Sequence, residues 1–430
     1  YDLKALNKTS RRKLDQYQVF FFLLQTQSQY LARLFRRLRE INTSDKEYER
    51  IRHLMMGLFG YSQKRREEYY LIKLLARSAK EDIESFSSLP EYLRCTSFWN
   101  KLFASYAKSS RDRKFMRDVL GPVVKESVIE NPDLDLESDP IQIYRSAINN
   151  EELQTGQRSR RQPDLPREEA IRDPETRETF IQHLQDLRDI VDQLFLGLED
   201  FLYRMPFGIR YLAQQMYQNL LERFHGEDPG SVLQTVGHWV WKSYFQPAVL
   251  EPEKYGVIDR GLTQEQKRNL GEISKVVAQI ASGRLFGAEN VYLQPLNSYI
   301  GESIQRLGRL WGQMISVQDA ESYFDIDEFN DLYAKAKPTL YIKMSDIFSI
   351  HQLVASEINY MCPHPDDFLK ELVRELGNVK SNENELMGVS STEINLTLNP
   401  KLAQVEGKKY KQAPTCLHSS NSTSQIPKQT

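Results

Sequence analysis

The stretch KRREEYYLIKLLARSAKEDIESFSSLPEYLRCTSFWNKL, residues 64–102, decides the fold. Its first half sets Tyr69, Ile72 and Leu75 or Ala76 on one stripe, the three-to-four spacing of an amphipathic helix. Leu89-Pro90 then interrupts it. The residue before a proline is pushed out of the helical region, so the chain turns here and presents Glu91 to Ser97 at a helix end or loop. The pattern predicts another helix from about Phe98 to Ala107, and a further one from Lys114 through Val124.

Working outward, the same period continues in both directions. From Leu14 to Leu38 apolar residues recur around Phe21, Leu24, Leu31, Leu34, Phe35 and Leu38, with basic residues opposite, which reads as a helical N-terminal extension. Such a helix packs against the main domain or touches a membrane surface. Asn131 to Pro174 is rich in prolines and mixed charges and reads as an irregular insertion with short helical pieces. Helix returns from Phe180 to Tyr203, where Leu184, Leu187, Val191, Leu194 and Leu198 keep to one stripe, and recurs as far as Leu376, with one segment at Asp327 to Ala336. Val291 to Leu293 and Thr339 to Ile342 are the best strand candidates, and both are short. From about Lys380 the composition turns to Ser, Asn, Thr, Gln and Lys, the signature of a largely disordered tail. The fold class is all-α, an irregular multi-helix domain with an N-terminal extension and a C-terminal helical segment.

Composition narrows the function. A hydrophobic share of 40% over 430 residues supports a packed core, and a net charge of −2 supplies no global basic field for nucleic acid. The basic clusters at Arg11 to Lys13, Arg33 to Arg39, Arg111 to Arg117 and Arg158 to Arg161 read as solvated helix faces or loops. Cys95, Cys362 and Cys416 lack any CxxC spacing, which argues against a disulfide framework and a zinc site and fits a reducing, cytoplasmic setting. The longest apolar stretch, Val19 to Leu24, is far short of the roughly 20 residues of a membrane span. The chain opens on Tyr and so reads as a piece of a longer protein.

Self-contained catalysis finds no support: HExxH, GxSxG and EF-hand patterns are all absent. The nearest approach to a phosphate loop, Gly237 to Ser243, has Trp241 and Val236 where glycine is required, because such a loop must wrap closely around phosphate. Any nucleotide chemistry therefore belongs to a partner.

Four segments carry a resemblance. Tyr92-Leu93-Arg94-Cys95-Thr96-Ser97-Phe98-Trp99-Asn100-Lys101-Leu102 resembles the finger segment of Ras GTPase-activating proteins, in which a Phe-Arg or Leu-Arg pair precedes a helix. Asp118 to Val124 (DVLGPVV) resembles the Leu-x-Pro segment of that family, Gln246-Pro247-Ala248 its Asn-Pro-Ala, and Arg268 to Lys275 (RNLGEISK) its basic helix. They occur in the family's order between about Lys64 and Ile342. The IQGAP-like branch, which includes scaffold proteins and fungal Ras regulators, is the most similar. Asp139 to Tyr144, Gln154-Thr155-Gly156, Met205 to Tyr211 and Gln266 to Gly271 all look like that branch.

The resemblance implies an organisation: a helical extension over residues 1–60, a RasGAP-like domain over 61–345, a helical segment over 346–380 and a tail over 381–430. It also implies a mechanism, with Arg94 as the inserted arginine finger. Phosphoryl transfer spreads negative charge over the moving group, and a planar, permanently charged guanidinium that donates in a fork can neutralise it. The scaffold IQGAPs carry threonine at this point and this chain keeps arginine. Lys275 and Asn297 match family positions near the GTPase-binding groove, and Arg268 lies seven residues before Lys275 on nearly the same helical face; solubility accounts equally for Lys275 and better for Arg268, and a helix cap equally for Asn297. The Phe-Leu-Arg-Phe motif, whose arginine steadies the finger loop, corresponds to Trp241-Lys242-Ser243-Tyr244. Ser243 thus stands in the arginine's place with Lys242 beside it, and Gln246 replaces the asparagine of Asn-Pro-Ala. The implied partner is a Ras-type small GTPase in its GTP state, which brings its own GTP and Mg and down-regulates signalling on hydrolysis. The chain itself needs no cofactor or metal. Recruitment to the inner face of the plasma membrane is a further expectation. The alternative is a non-catalytic, IQGAP-like scaffold module that holds a Rho- or Ras-family GTPase in its GTP state.

Overall fold

Asp139-Pro140, Asp173-Pro174 and Asp228-Pro229 each open a helix. In each pair the aspartate carboxylate accepts a hydrogen bond from an orphan amide of the first turn, and the proline occupies the first helical position, where it has no N–H to lose. The computed structural model describes residues 8–327, 337–387 and 393–398, and there the three helices run Pro140–Thr155, Pro174–Phe201 and Pro229–Val240. The 131–174 region therefore holds a helix of 16 residues, closed by Gly156 in the left-handed conformation at φ 68°. Pro140 and Pro174 start helices, while Pro132 and Pro163 lie in the irregular stretches outside them. The described residues are predominantly helical with two short strands, an all-α chain.

The chain divides into two compact units. One takes Tyr1–Tyr106, Gln218–His225 and Gln318–Thr430, and the other takes Ala107–Tyr217 and Gly226–Val317. In the first unit the helix Lys8–Thr26 is buried on more than one side: Tyr17, Phe20, Phe21, Leu23 and Leu24 are all inaccessible. A helix apolar on most faces must be a core element. It ends at Gln27, outside the helical region at φ −108°, ψ 84°, so the single helix expected from Leu14 to Leu38 is two. The second, Ser28–Glu40, packs along Arg65–Glu84. Its basic face is paired inside the unit. Arg33 donates to the Met361 carbonyl at 3.0 Å, Arg36 meets Glu40 and Glu81, Arg37 meets Glu357, and Arg39 meets Asp82.

Order in this unit continues beyond Lys380, where the sequence suggested that the tail begins. Val379–Met387 is helical, and β2 (Glu393–Thr397) pairs antiparallel with β1 (Thr339–Lys343), Ile394 opposite Ile342 and Leu396 opposite Leu340. Those four side chains are buried and alternate with exposed ones. The remaining tail, from residue 399, and most of the helix expected at 327–336 lie outside the described residues.

In the second unit the 28-residue helix Pro174–Phe201 touches Ser110–Gly121, Pro140–Thr155, Gln264–Ser282 and Asn297–Met314. Pro229–Val240 packs on the last two. Gly237 lets it come close, since a Cβ there would lie 2.1 Å from Nε1 of Trp311. The glycine that opens the failed phosphate loop is a helix-packing glycine. Val291–Leu293, a strand candidate by sequence, lies in the 3-10 segment Ala288–Leu296. Two π-helical segments, Pro122–Ile129 and Trp241–Phe245, widen otherwise continuous helices beside Pro122 and Pro247. Proline removes one ladder bond and its ring crowds the carbonyl four residues back, and a wider turn relieves both.

Candidate functional site

Arg94 is the last residue of the short helix Leu89–Arg94. Ser88 caps that helix, its hydroxyl accepting from the Glu91 amide, and Pro90 fits the first turn. Tyr92 and Leu89 face inward, whereas Leu93 and Arg94 are exposed. At Cys95 the backbone becomes extended (φ −77°, ψ 144°), and the next helix starts at Phe98. The Arg94 side chain folds back so that Nε donates to the Pro90 carbonyl at 3.2 Å. A cation at a helix C-terminus is favourably placed against the dipole. No carboxylate pairs with it among the described residues, so its charge is available.

The other sequence-derived candidates belong to the second unit. Thr263 and Gln266 form a reciprocal capping box at the start of Gln264–Ser282, and Gly283 (φ 74°) ends that helix. Asn269, Leu270, Ile273, Val276, Val277 and Ile280 point inward, which leaves Arg268 and Lys275 on the exposed stripe. Lys275 reaches Glu272 at 3.3 Å, a surface pair of small energetic weight. Lys242, Ser243 and Gln246 lie in and just after the π turn. Lys242 is exposed, Ser243 is half-buried, and the buried Oε1 of Gln246 has no hydrogen-bond donor among the described residues. Gln264–Ser282 packs on both the π turn and Gln246–Leu250, so the structure brings these segments together within one unit. His238, one turn before Lys242, is held below the usual imidazole range by burial first and then by the charges of Lys242 and Arg284.

Asn297 does not cap its helix: Leu296 occupies the cap position, without a side-chain bond. Its amide instead clamps Phe286, accepting from the backbone N at 2.8 Å and donating to the carbonyl at 3.1 Å. Gln279 donates to the Arg284 and Leu285 carbonyls of the same loop.

Sequence reasoning missed two further polar residues inside its own motifs. Asn269 is 3% exposed and grips the chain after the first π segment, accepting from Leu136 N and donating to Leu134 O. Arg210 binds the carbonyls of Gln313, Met314 and Ser316 at 2.9–3.1 Å and so closes the C-terminus of Asn297–Met314. Burial lowers the Arg210 guanidinium pKa, as expected of a cation held by carbonyls alone. Their signal was a polar residue on an apolar stripe, which spacing alone reads as a solvent contact. Among the described residues no group of three or more His, Cys, Asp or Glu side chains is placed to hold a metal.

Residues 74–282 match the RasGAP family, described as GTPase-activator protein for Ras-like GTPase. Residues 74–282 form a RasGAP domain. Arg94, Lys242, Ser243, Gln246, Arg268 and Lys275 fall within it, and Asn297 follows it. Relatives extend the likeness over most of the chain. The human "Ras GTPase-activating-like protein IQGAP2" is 30% identical over 420 residues, covering 93% of this chain and 26% of that protein. The "Ras GTPase-activating-like protein rng2" of Schizosaccharomyces pombe is 29% identical over 407 residues, covering 94% of this chain and 27% of the relative. The Dictyostelium discoideum "Ras GTPase-activating-like protein rgaA" is 26% identical over 392 residues, 91% of this chain and 47% of the relative. The chain thus spans between about a quarter and a half of the length of these relatives.

Proposed function

We propose that the chain is a GTPase-activating module for a Ras-type small GTPase in its GTP state and that Arg94 is its arginine finger. The observation that carries this reading is the state of the Arg94 guanidinium: exposed, free of any carboxylate among the described residues, and carried at the end of a capped helix whose inner face is buried. Arg33, Arg36, Arg37 and Arg39 of the same unit are all occupied by internal partners.

Chemically, the guanidinium enters the partner's nucleotide site and neutralises the charge that develops on the transferring phosphoryl group. Arg268 and Lys275 supply a cationic stripe for acidic side chains of the partner. The Lys242 to Gln246 segment shapes the same unit. Asn297 acts on that surface indirectly, by fixing the loop that bears Arg284 and Leu285. GTP and Mg come with the partner. Recruitment to the inner face of the plasma membrane follows in this reading from a membrane-attached partner, since no described helix is long and apolar enough to cross a membrane and the basic face of Ser28–Glu40 is paired internally.

A second reading, a scaffold module that holds a Rho- or Ras-family GTPase without catalysis, is favoured by Ser243 where the family's steadying arginine is expected. Single-turnover hydrolysis on Ras-type partners separates the two. Acceleration that depends on Arg94 supports the finger, and tight binding with hydrolysis unchanged or slowed sinks it.

A further inference from the structure

The segment carrying Arg94 is bracketed by a buried ion pair. Asp82, 2% exposed near the end of Arg65–Glu84, faces Arg39 of Ser28–Glu40 with Nε 3.3 Å from Oδ1. On the near side of the Leu89–Arg94 helix, Arg39 donates to Ser85 Oγ at 2.9 Å and lies 4.8 Å from the centre of the Phe86 ring. Phe86 meets the buried Tyr92 edge-on at 6.3 Å, and its carbonyl accepts from Arg223 at 3.0 Å. On the far side the buried Ser97 hydroxyl lies beside the Asp82 carboxylate, and Cys95 Sγ lies 3.2 Å from Ser97 Oγ. Burial raises the Asp82 carboxyl above its ordinary range, and the nearby Ser97 hydroxyl and the Arg39 charge oppose that shift. The approach to the helix at 85–86 and the exit at 95–97 thus converge on one pair.

An isolated helix of six residues does not hold its own shape in water. A catalytic group displaced by about 1 Å can lose on the order of 10²-fold in rate. Something must fix this helix if its last residue is to work.

We propose that Arg39 and Asp82 are the positioning residues for Arg94, holding both ends of its helix, with Arg39 reaching in from a helix that precedes the family-matched span. The inference rests on the finger reading above. It assigns to Ser28–Glu40 a part in GTPase activation, and it means that a RasGAP fragment trimmed to residues 74–282 lacks half of its own finger support.

The test uses the full chain with Asp82→Asn, the milder Ser97→Ala, and Arg39→Lys. In single-turnover hydrolysis the saturating rate should fall tenfold or more, while affinity for the GTP-loaded partner stays within threefold. In an Arg94→Ala background the same changes should cost nothing further. A separate readout needs no GTPase: thiol labelling of Cys95 in a Cys416→Ser background, with the buried Cys362 as internal control. Labelling should be at least fivefold faster in Asp82→Asn and Ser97→Ala. Unchanged labelling in variants with intact circular dichroism and melting would overturn the proposal. So would a rate loss that persists without Arg94, because it would mark general damage. Should Asp82→Asn not fold, Ser97→Ala decides. Should the wild-type chain fail to accelerate hydrolysis, the finger reading falls and the labelling arm still decides whether the pair holds this segment.

Discussion

Tyr244 donates its phenolic hydrogen to Oδ1 of Asp112 at 2.7 Å, joining the π turn to the first turn of Ser110–Gly121 deep inside the second unit. The other carboxylate oxygen accepts from Ser109, the cap residue of that helix. The π turn Trp241–Phe245 is therefore tied down by a buried acid through Tyr244.

Burial pushes the Asp112 pKa up to about 6, against the hydrogen bonds from Ser109 and Tyr244. The folded value lies above the unfolded one, so the folded state holds the proton more tightly and this group's contribution falls as pH rises from about 4 to 6. The expected signature is a pH-dependent gain in Asp112→Asn. Relative to wild type, its urea-unfolding free energy should improve by on the order of 2 kcal/mol between pH 4 and pH 7. A flat difference across that range would remove the burial argument. Tyr244→Phe should steepen the wild-type dependence, because it deletes a bond to the charged form.

Arg94→Ala should leave melting within about 1 °C, since the side chain is exposed and bonds only within its own helix. Single-turnover GTP hydrolysis should lose about 10³- to 10⁵-fold at saturation, the range for an arginine supplied in trans. Arg94→Lys should rescue little, because a point charge lacks the fork. Full activity in either variant would end the finger assignment.

Lys275→Glu should behave oppositely. A charge reversal on an exposed stripe changes encounter and affinity more than chemistry, so binding should weaken about tenfold at low salt while the saturating rate stays within threefold. Titrations at two ionic strengths check this, the deficit shrinking as salt rises.

Arg210→Met should cost about 2–4 kcal/mol in denaturant unfolding, since three helix-terminal carbonyls lose their donor at once. Asn297→Ala, which frees both backbone groups of Phe286, should cost about 1–3 kcal/mol. If Arg210→Met unfolds at the wild-type midpoint, the carbonyls have found other donors.

The parts of this chain legible in sequence were those written in spacing. The stripe through Tyr69 and Ile72 and the exposed end at Arg94 follow from the period of a helix, whereas Leu89-Pro90, read as a break, opens the next helix after the previous one has ended at Glu84. Three kinds of feature were not legible. Asp139-Pro140 suits a helix breaker as well as a cap plus first helical residue, and only the helix-forming capacity of residues 140–155 separates the two. Gln27 parts two helices although the apolar pattern runs across it. Asn269, Asn297 and Arg210 spend their polar groups on backbone more than ten residues away, and local spacing cannot register such partners. The Arg39–Asp82 pair is hidden for the same reason, its members being 43 positions apart.

The first unit is assembled from segments separated by the whole of the second, and this dictates an order of birth. The second unit is complete once the chain has emerged to Val317. The Lys8–Thr26 helix, with its buried Phe20 and Phe21, must wait for the helices and the β2 strand that end near residue 398. At about 5–20 residues per second that is roughly 20 to 70 s of synthesis with a strongly apolar helix uncovered. Nascent chains stalled just past residue 317 should therefore carry a protease-resistant second unit and an N-terminal helix that chaperones can bind. The exposure of that helix should end once residues 318–398 have cleared the ribosome, with the resistance of the second unit unchanged.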